Sequence, residues 1–203
     1  MRVIKQSVEL MDMTEYPLHV IERAGRTCYK SEDCMTKDSA EAFVRRLIKR
    51  GHEAMIEHAY ASYRFVTDRG VSHEIVRCRL FSFAQESTRY CSYGDGVTFI
   101  EPVWFGEEQG IHNLETYWEM QMRQAETAYK TLLRDGWSAQ QARSVLPNSL
   151  KTEIVVTGNF REWKLFFELR TASDAHPQMR ELALMCLSDF RKRCPVIVES
   201  INA

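Results

Sequence analysis

Two apolar periodicities alternate along the 203-residue chain, and no internal repeat or Pro-, Gly- or Ser-rich linker interrupts them. Apolar residues at helical spacing predict helices from about Asn113 to Arg134, over 160–170 and over 177–193. Short alternating or continuous apolar runs predict strands near 61–65 and 153–157. The pattern therefore predicts a single α+β domain over residues 1–203, with more helix than sheet.

Residues 68–83, between these elements, are predicted to form a turn followed by a helix. Asp68, Arg69 and Gly70 are typical of a turn, and Ser72 is placed to cap a helix behind it. The apolar residues of this helix would share one face, namely Ile75, Val76, Leu80 and Phe83.

The composition excludes several classes of protein. The 27 basic and 28 acidic residues leave a net charge of −1, which argues against a general nucleic-acid binder but allows a basic pocket for a small anion. No apolar run approaches the roughly 18 residues of a membrane span, and the N-terminus has no apolar signal region. The six cysteines form no C-x-x-C pair, so a cytoplasmic protein with reduced thiols is expected.

The densest polar cluster runs from Arg77 to Tyr90 and contains three arginines beside Gln, Glu, Ser and Thr. Guanidinium groups grip phosphate oxygens with two parallel hydrogen bonds, so the cluster suits a phosphate site. A solvated surface with ion pairs is the alternative on residue types alone. Arg143 and Arg170 stand beside apolar residues, so each is expected to be partly buried with a carboxylate or a ligand anion as partner.

Other motifs argue against further chemistries. The spacing of His52 and His58 fits neither H-E-x-x-H nor H-x-x-E-H, so no metal site is expected. The chain also contains no G-x-G-x-x-G fingerprint, Walker A loop or G-x-S-x-G elbow, which leaves a Rossmann-type cofactor site unsupported.

The order of the motifs resembles the flavin-dependent thymidylate synthases. That family has an Arg-His-Arg followed, after seven residues, by Ser, and here Arg77-x-Arg79 precedes Ser87-x-Arg89-Tyr90. The blocks Gly51-His52-Glu53, Ala142–Pro147, Asn159, Leu169-Arg170 and His176-Pro177-Gln178 occur in the family's order. The matches extend from about residue 20 to 195.

The resemblance implies an α+β fold with helices packed on a mostly antiparallel sheet. It also implies a homotetramer with active sites at subunit interfaces, and no nucleic-acid or membrane partner. The cofactor would be FAD, with NADPH and methylenetetrahydrofolate as co-substrates and dUMP as substrate. Residues matched to the FAD site are Ala54, Arg77, Cys78, Arg79, Gln85, Asn159, Phe160, Arg161 and Leu165. Residues matched to the dUMP site are Glu74, Ile75, Val76, Arg77, Gln85, Glu86, Ser87, Thr88, Arg89, Arg143 and Arg170.

The roles implied by the resemblance agree with the chemistry of the residues. Ser87, Arg89 and Arg143 would bind the phosphate, and Ser87 acts as a ligand because no base activates it. Arg170 would be the catalytic residue, stabilising negative charge on the uracil ring.

Three positions depart from the family's pattern. Cys78 stands where the middle His is usual, and a thiol cannot replace the hydrogen bonds of an imidazole, so flavin affinity or oxidation is expected to differ. Glu74 replaces a common Gln and would repel phosphate unless paired. Leu165 replaces a polar residue that often lies near the adenine side of the flavin, and Thr171–Ala175 is longer than in compact relatives.

Three alternatives remain open at this point. A flavin- and folate-dependent pyrimidine nucleotide C5 hydroxymethylase would use the same fold but form a hydroxymethylated product. A Cys-dependent thymidylate synthase would need an activated Cys in a Pro-Cys-His setting, which this chain does not have. A non-catalytic nucleotide- or RNA-binding module would stack bases on Phe81, Phe83 and Tyr90.

Overall fold

The computed structural model describes residues 1–106 and 114–202. The strands are β1 (Arg2–Ile4), β2 (Ser7–Met13), β3 (Tyr60–Asp68), β4 (Ser82–Gln85), β5 (Thr98–Ile100) and β6 (Lys151–Asn159). The helices are α1 (Pro17–Thr27), α2 (Ser39–Lys49), α3 (Arg69–Ile75), α4 (Leu114–Arg134), α5 (Ala139–Ala142), α6 (Phe160–Arg170) and α7 (Pro177–Arg193). A 3₁₀ turn over Glu53–His58 joins α2 to β3. This arrangement confirms the predicted α+β class.

A four-stranded antiparallel sheet in the order β2-β3-β6-β4 forms the centre of the fold, and β1 and β5 make a separate parallel pair. The central strands β3 and β6 pair from Tyr60↔Asn159 to Asp68↔Lys151. Every second residue of β6 is buried, because successive side chains of a strand point to opposite faces. β4 pairs with β6 at the edge of the sheet and brings the second half of the arginine-rich cluster onto it.

Aromatic side chains fill the space between the sheet and α6. The ring of the fully buried Trp163 lies 5.2 Å from that of Tyr63 and 4.6 Å from that of Phe81. Its indole N–H donates to the carbonyl of Ala61 at 3.0 Å, which satisfies the one polar group of the side chain. Trp163 therefore locks α6 onto β3, and this contact determines where the end of α6 carries Arg170.

A second apolar cluster lies under α4. Tyr129 of α4 is fully buried there with Val97, Phe99 and Leu150. The helix ends at Arg134, before Gly136 with φ of 98°, as the apolar stripe predicted; the predicted start at Asn113 lies outside the described residues. Among the helices of residues 1–106 and 114–202, none has both the length and the apolarity to cross a bilayer.

The prediction for residues 68–83 was correct that a helix carries Ile75, but wrong about where that helix begins and ends. Asp68 is the N-cap of α3, accepting from the Val71 N–H at 2.7 Å, so the predicted turn is the first turn of a helix that ends at Ile75. Leu80 is exposed, and Phe83 lies in β4 opposite Val156. Pairing with β6 satisfies the backbone of β4, and this non-local contact overrides the helical spacing of the apolar residues.

Candidate active site

Arg77, Cys78 and Arg79 lie in the loop between α3 and β4. Both arginine side chains are exposed, whereas Cys78 is half-buried and packs against the main core. The loop therefore presents two guanidinium groups outward and one thiol inward. Phe81, buried at the end of this loop, anchors it against Trp163.

Gln85 connects β4 to α3. Its side-chain amide donates to the Ser72 hydroxyl at 2.8 Å and to the Thr152 hydroxyl at 3.2 Å. Both partners are buried, so the amide is held in one orientation by neighbours from a helix and a strand.

Arg143 reaches the segment that follows β4. One of its terminal nitrogens donates to the hydroxyl of Thr88 at 3.0 Å, across 55 positions of sequence. Thr88 is buried, but Arg143 is exposed and bonds a hydroxyl, so the expected partial burial beside a carboxylate or anion is not what the described residues show. Ser87 turns the chain here, its hydroxyl oxygen accepting from the Arg89 N–H at 3.3 Å.

Arg170 ends α6 and contacts the end of α3. Its terminal nitrogens lie 3.4 Å from a carboxylate oxygen of Glu74 and 3.0 Å from the Glu74 backbone carbonyl. The other carboxylate oxygen of Glu74 lies 3.1 Å from Nδ1 of His176. The Arg170 Nε is buried and has no hydrogen-bond partner among the described residues. The pairing expected of a carboxylate at position 74 is thus present, and a donor of Arg170 remains unused.

Glu86 follows β4 and contacts the first residue of the neighbouring strand β6. Its carboxylate pairs with Lys151 at 3.1 Å and accepts from the hydroxyl of Tyr93 at 2.8 Å. Burial and this hydrogen bond to Glu86 raise the pKa of Tyr93, which keeps the phenol protonated as a donor.

A groove of about 570 Å³ opens beside the N-terminal half of α6. Three residues matched to the FAD site line it, namely Asn159, Arg161 and Leu165. Asn159 also caps α6, its side-chain oxygen accepting from the Glu162 N–H at 2.9 Å. The groove is therefore built from the start of α6, the 3₁₀ turn Glu53–His58 and Leu80.

Not every matched residue offers its side chain to a ligand. Phe160 and Ile75 are fully buried in the main core, so only their backbone can reach a bound molecule. Val76 is half-buried at the end of α3, and Ala54 is exposed in the turn that borders the groove.

Two charged residues at the site were not singled out from the sequence. Lys151 looks like the ordinary first residue of a strand, and Glu162 like an ordinary first-turn acid of a helix. The register of β6 places Lys151 beside Glu86, and the packing of α6 places Glu162 in the groove. In residues 1–106 and 114–202, no three or more His, Cys, Asp and Glu side chains are grouped to hold a metal ion.

The reactivity of Cys78 follows from its surroundings. Burial raises the pKa of the Cys78 thiol, and the guanidinium of Arg170 partly opposes that rise. Because the thiolate is the reactive form, iodoacetamide at about pH 8 is expected to alkylate Cys78 about tenfold more slowly than the exposed Cys28, Cys34 and Cys91. Peptide mass mapping over time measures this order, with the fully buried Cys186 as the unreactive reference. Alkylation of Cys78 ahead of the exposed thiols would contradict this account.

The fold and the contacts define a class of protein: an α+β chain in which arginines of distant segments contact residues 74–88, with no glycine-rich phosphate loop in the sequence. The fold is shared with a solved structure of a UMP/dUMP methylase, PolB from Streptomyces cacaoi, bound with 5-Br dUMP. The two chains are 24% identical with a TM-score of 0.84, over 98% of this chain and 96% of the other.

Sequence relatives identify the family. The family model described as thymidylate synthase complementing protein matches residues 9–196. A flavin-dependent thymidylate synthase of Corynebacterium aurimucosum is 33% identical, covering 90% of this chain and 79% of the relative. One of Geobacter sulfurreducens is 32% identical, covering 94% and 84%. The chain belongs to the flavin-dependent thymidylate synthase family, as the motif order predicted.

Proposed function

We propose that this protein is an FAD-dependent enzyme that converts dUMP to dTMP, with methylenetetrahydrofolate as one-carbon donor and NADPH as reductant. The observation that carries the proposal is that two arginines distant in the sequence each contact a residue of the segment 74–88. Arg143 contacts Thr88, and Arg170 contacts Glu74 on the helix that also holds Gln85. Family membership makes dUMP the substrate that such a cluster would serve.

The phosphate of dUMP would lie against the turn after β4. Arg143, which contacts Thr88, and Arg89, which follows Thr88 in the chain, would supply positive charge, and Ser87 would supply a hydroxyl. Charge-assisted hydrogen bonds of this kind are roughly twice as strong as neutral ones, which suits a dianion. Arg77, Thr88 and the backbone near Ile75 and Val76 complete the proposed nucleotide surface.

The uracil ring would lie beside Arg170. Glu74 holds the guanidinium from one side, through its carboxylate and its backbone carbonyl. A guanidinium fixed in a partly buried position would stabilise negative charge on the uracil ring, and that charge makes C5 nucleophilic toward the one-carbon unit. Gln85 and Glu86, both held by protein neighbours, would contact the rest of the nucleotide.

The groove beside α6 fits part of a flavin nucleotide. It offers the amide of Asn159, the guanidinium of Arg161 and the apolar side chain of Leu165. Arg77, Cys78, Arg79 and Gln85 would contact the remaining part, and Ala54 borders the groove. When bound, reduced FAD supplies the hydride for the methyl group. The protein's own residues would bind and orient FAD and hold the uracil ring of dUMP close to it.

A homotetramer with active sites at subunit interfaces is part of the proposal. Leu80 and Leu165 line the groove with large exposed apolar side chains, and Tyr90 is exposed beside the phosphate residues. Apolar side chains gathered at a ligand groove are typical of a surface that a partner covers.

Product analysis tests this function. The purified protein, incubated with dUMP, methylenetetrahydrofolate and NADPH, is expected to form dTMP and to show a flavin spectrum that dUMP perturbs. Omitting FAD from apo-protein is the control. A hydroxymethylated nucleotide would instead identify a hydroxymethylase, and binding of single-stranded RNA without dUMP turnover would identify a binding module.

A further inference from the structure

The groove beside α6 contains charged residues that are nearly all paired with one another. Lys164 lies 2.9 Å from a carboxylate oxygen of Glu53 and 2.8 Å from one of Glu168. Arg161 lies 2.6 Å from a carboxylate oxygen of Glu57. Each of these two cations and three carboxylates therefore has an ion-pair partner within the protein, although the set keeps an excess of one negative charge.

Glu162 differs from the other charged residues of the groove. It lines the groove but is only 5% exposed. Its carboxyl group has no hydrogen-bond or ion-pair partner among the described residues, and only its backbone N–H is bonded, to Asn159. Burial raises the pKa of Glu162, with no neighbouring group to offset it. The carboxyl oxygens are not among the fully enclosed polar atoms of the described residues, so they face the groove as unpaired acceptors on a side chain that is otherwise buried.

We propose that Glu162 is a ligand-binding residue whose carboxyl group accepts hydrogen bonds from vicinal hydroxyls of the ribose or ribityl chain of a cofactor in the groove. The inference rests on the proposed function for the identity of that cofactor. An ionised carboxylate is an acceptor only, so it selects hydroxyl or amino donors and repels phosphate. Acidic residues bind ribose hydroxyls in the same way in Rossmann dinucleotide sites, although this fold is a different one.

The position of Glu162 suits this role. It lies in the first turn of α6, where the positive end of the helix dipole favours the ionised form once a ligand supplies hydrogen bonds. Asn159 and Leu165, one turn away on either side, line the same groove. A ligand that contacts these two residues therefore passes the carboxyl group of Glu162.

Substitution of Glu162 distinguishes a ligand-binding role from a structural one by two measurements, the change in Tm and the change in FAD affinity. In apo-protein, Glu162→Leu is expected to raise Tm, because it removes an unpartnered buried polar group. The same variant is expected to weaken FAD binding about tenfold, because the hydrogen bonds to a charged acceptor are lost. Glu162→Gln keeps the volume and one acceptor and is expected to weaken binding less. Scanning fluorimetry measures Tm, and quenching of flavin fluorescence measures Kd.

Glu41→Gln is the matched control, since Glu41 is an exposed carboxylate of α2 that pairs with Arg45 and does not line the groove; the Kd of this variant for FAD is expected to stay within twofold of wild type. FMN carries only the ribityl hydroxyls and ADP-ribose carries the adenosine ribose. Weakened FMN binding in the Leu variant would assign the ribityl chain, and weakened ADP-ribose binding would assign the ribose.

Two results would overturn the inference. FAD affinity equal to wild type in both Glu162 variants would show that Glu162 does not bind FAD, while leaving the proposed function intact. A fall in Tm together with weaker binding in both variants would make Glu162 a structural residue. Failure of the wild-type protein to bind FAD or form dTMP would instead reject the proposed function itself.

Discussion

Arg170→Ala is expected to lower kcat about 10²–10³-fold, the usual loss when one preorganised donor to a developing negative charge is removed. The FAD content is expected to fall much less than kcat, because Arg170 pairs with Glu74 and lies outside the groove beside α6, although it neighbours Cys78. The dUMP KM changes less than kcat if the contact is made mainly in the transition state. Arg170→Lys is expected to recover little, since an ammonium has no planar fork to hold Glu74 and the ring together.

Steady-state kinetics with the flavin absorbance of each preparation measures both parts of this expectation. Arg123→Ala is the matched control, because Arg123 is an exposed arginine of α4 whose contact with Glu119 is 3.6 Å long. Loss of the flavin together with turnover would place Arg170 in the cofactor site. Turnover within threefold of wild type would remove it from the catalytic role altogether.

Gly158→Ala is expected to destabilise the fold by about 1–3 kcal/mol, the usual cost of overpacking a core. A Cβ at Gly158 would lie 2.0 Å from one ring carbon of Phe81, and that ring is buried against Trp163. Replacing Gly by Ala also restricts the unfolded chain, which stabilises by about 0.4–1 kcal/mol. The free-energy cost of the clash is expected to exceed this gain, because neither the central strand β6 nor the packed Phe81 ring can move without disrupting other contacts.

The functional consequence of that substitution follows from the position of Phe81. The ring ends the loop that carries Arg77 and Arg79, so a displaced ring moves both guanidinium groups and is expected to weaken FAD binding as well. Thermal unfolding and FAD titration measure the two effects. Gly94→Ala is the control, since its Cβ would meet nothing closer than 3.8 Å. An unchanged Tm for the Gly158 variant would mean that Phe81 repacks freely, contrary to this view of the loop.

Elements with a strong local pattern were predictable from the sequence. The periodic runs that became α6 and α7 begin and end where predicted, because apolar spacing and terminal residues such as Pro177 act within one helix. The order of Arg77, Ser87, Arg143 and Arg170 identified the family, since a set of spaced residue types needs no coordinates to be recognised.

Only the tertiary structure decided the shape of residues 68–83 and the partners of the charged groups. A helical spacing of Ile75, Leu80 and Phe83 lost to strand pairing with β6, a contact between residues some 70 positions apart in the chain. The sequence specified that Glu74 and Glu162 are carboxylates, but not that Arg170 pairs with the first and nothing described pairs with the second. Residue type sets what a side chain can bond, whereas the packing of distant segments sets which groups come within reach and which are left for a ligand.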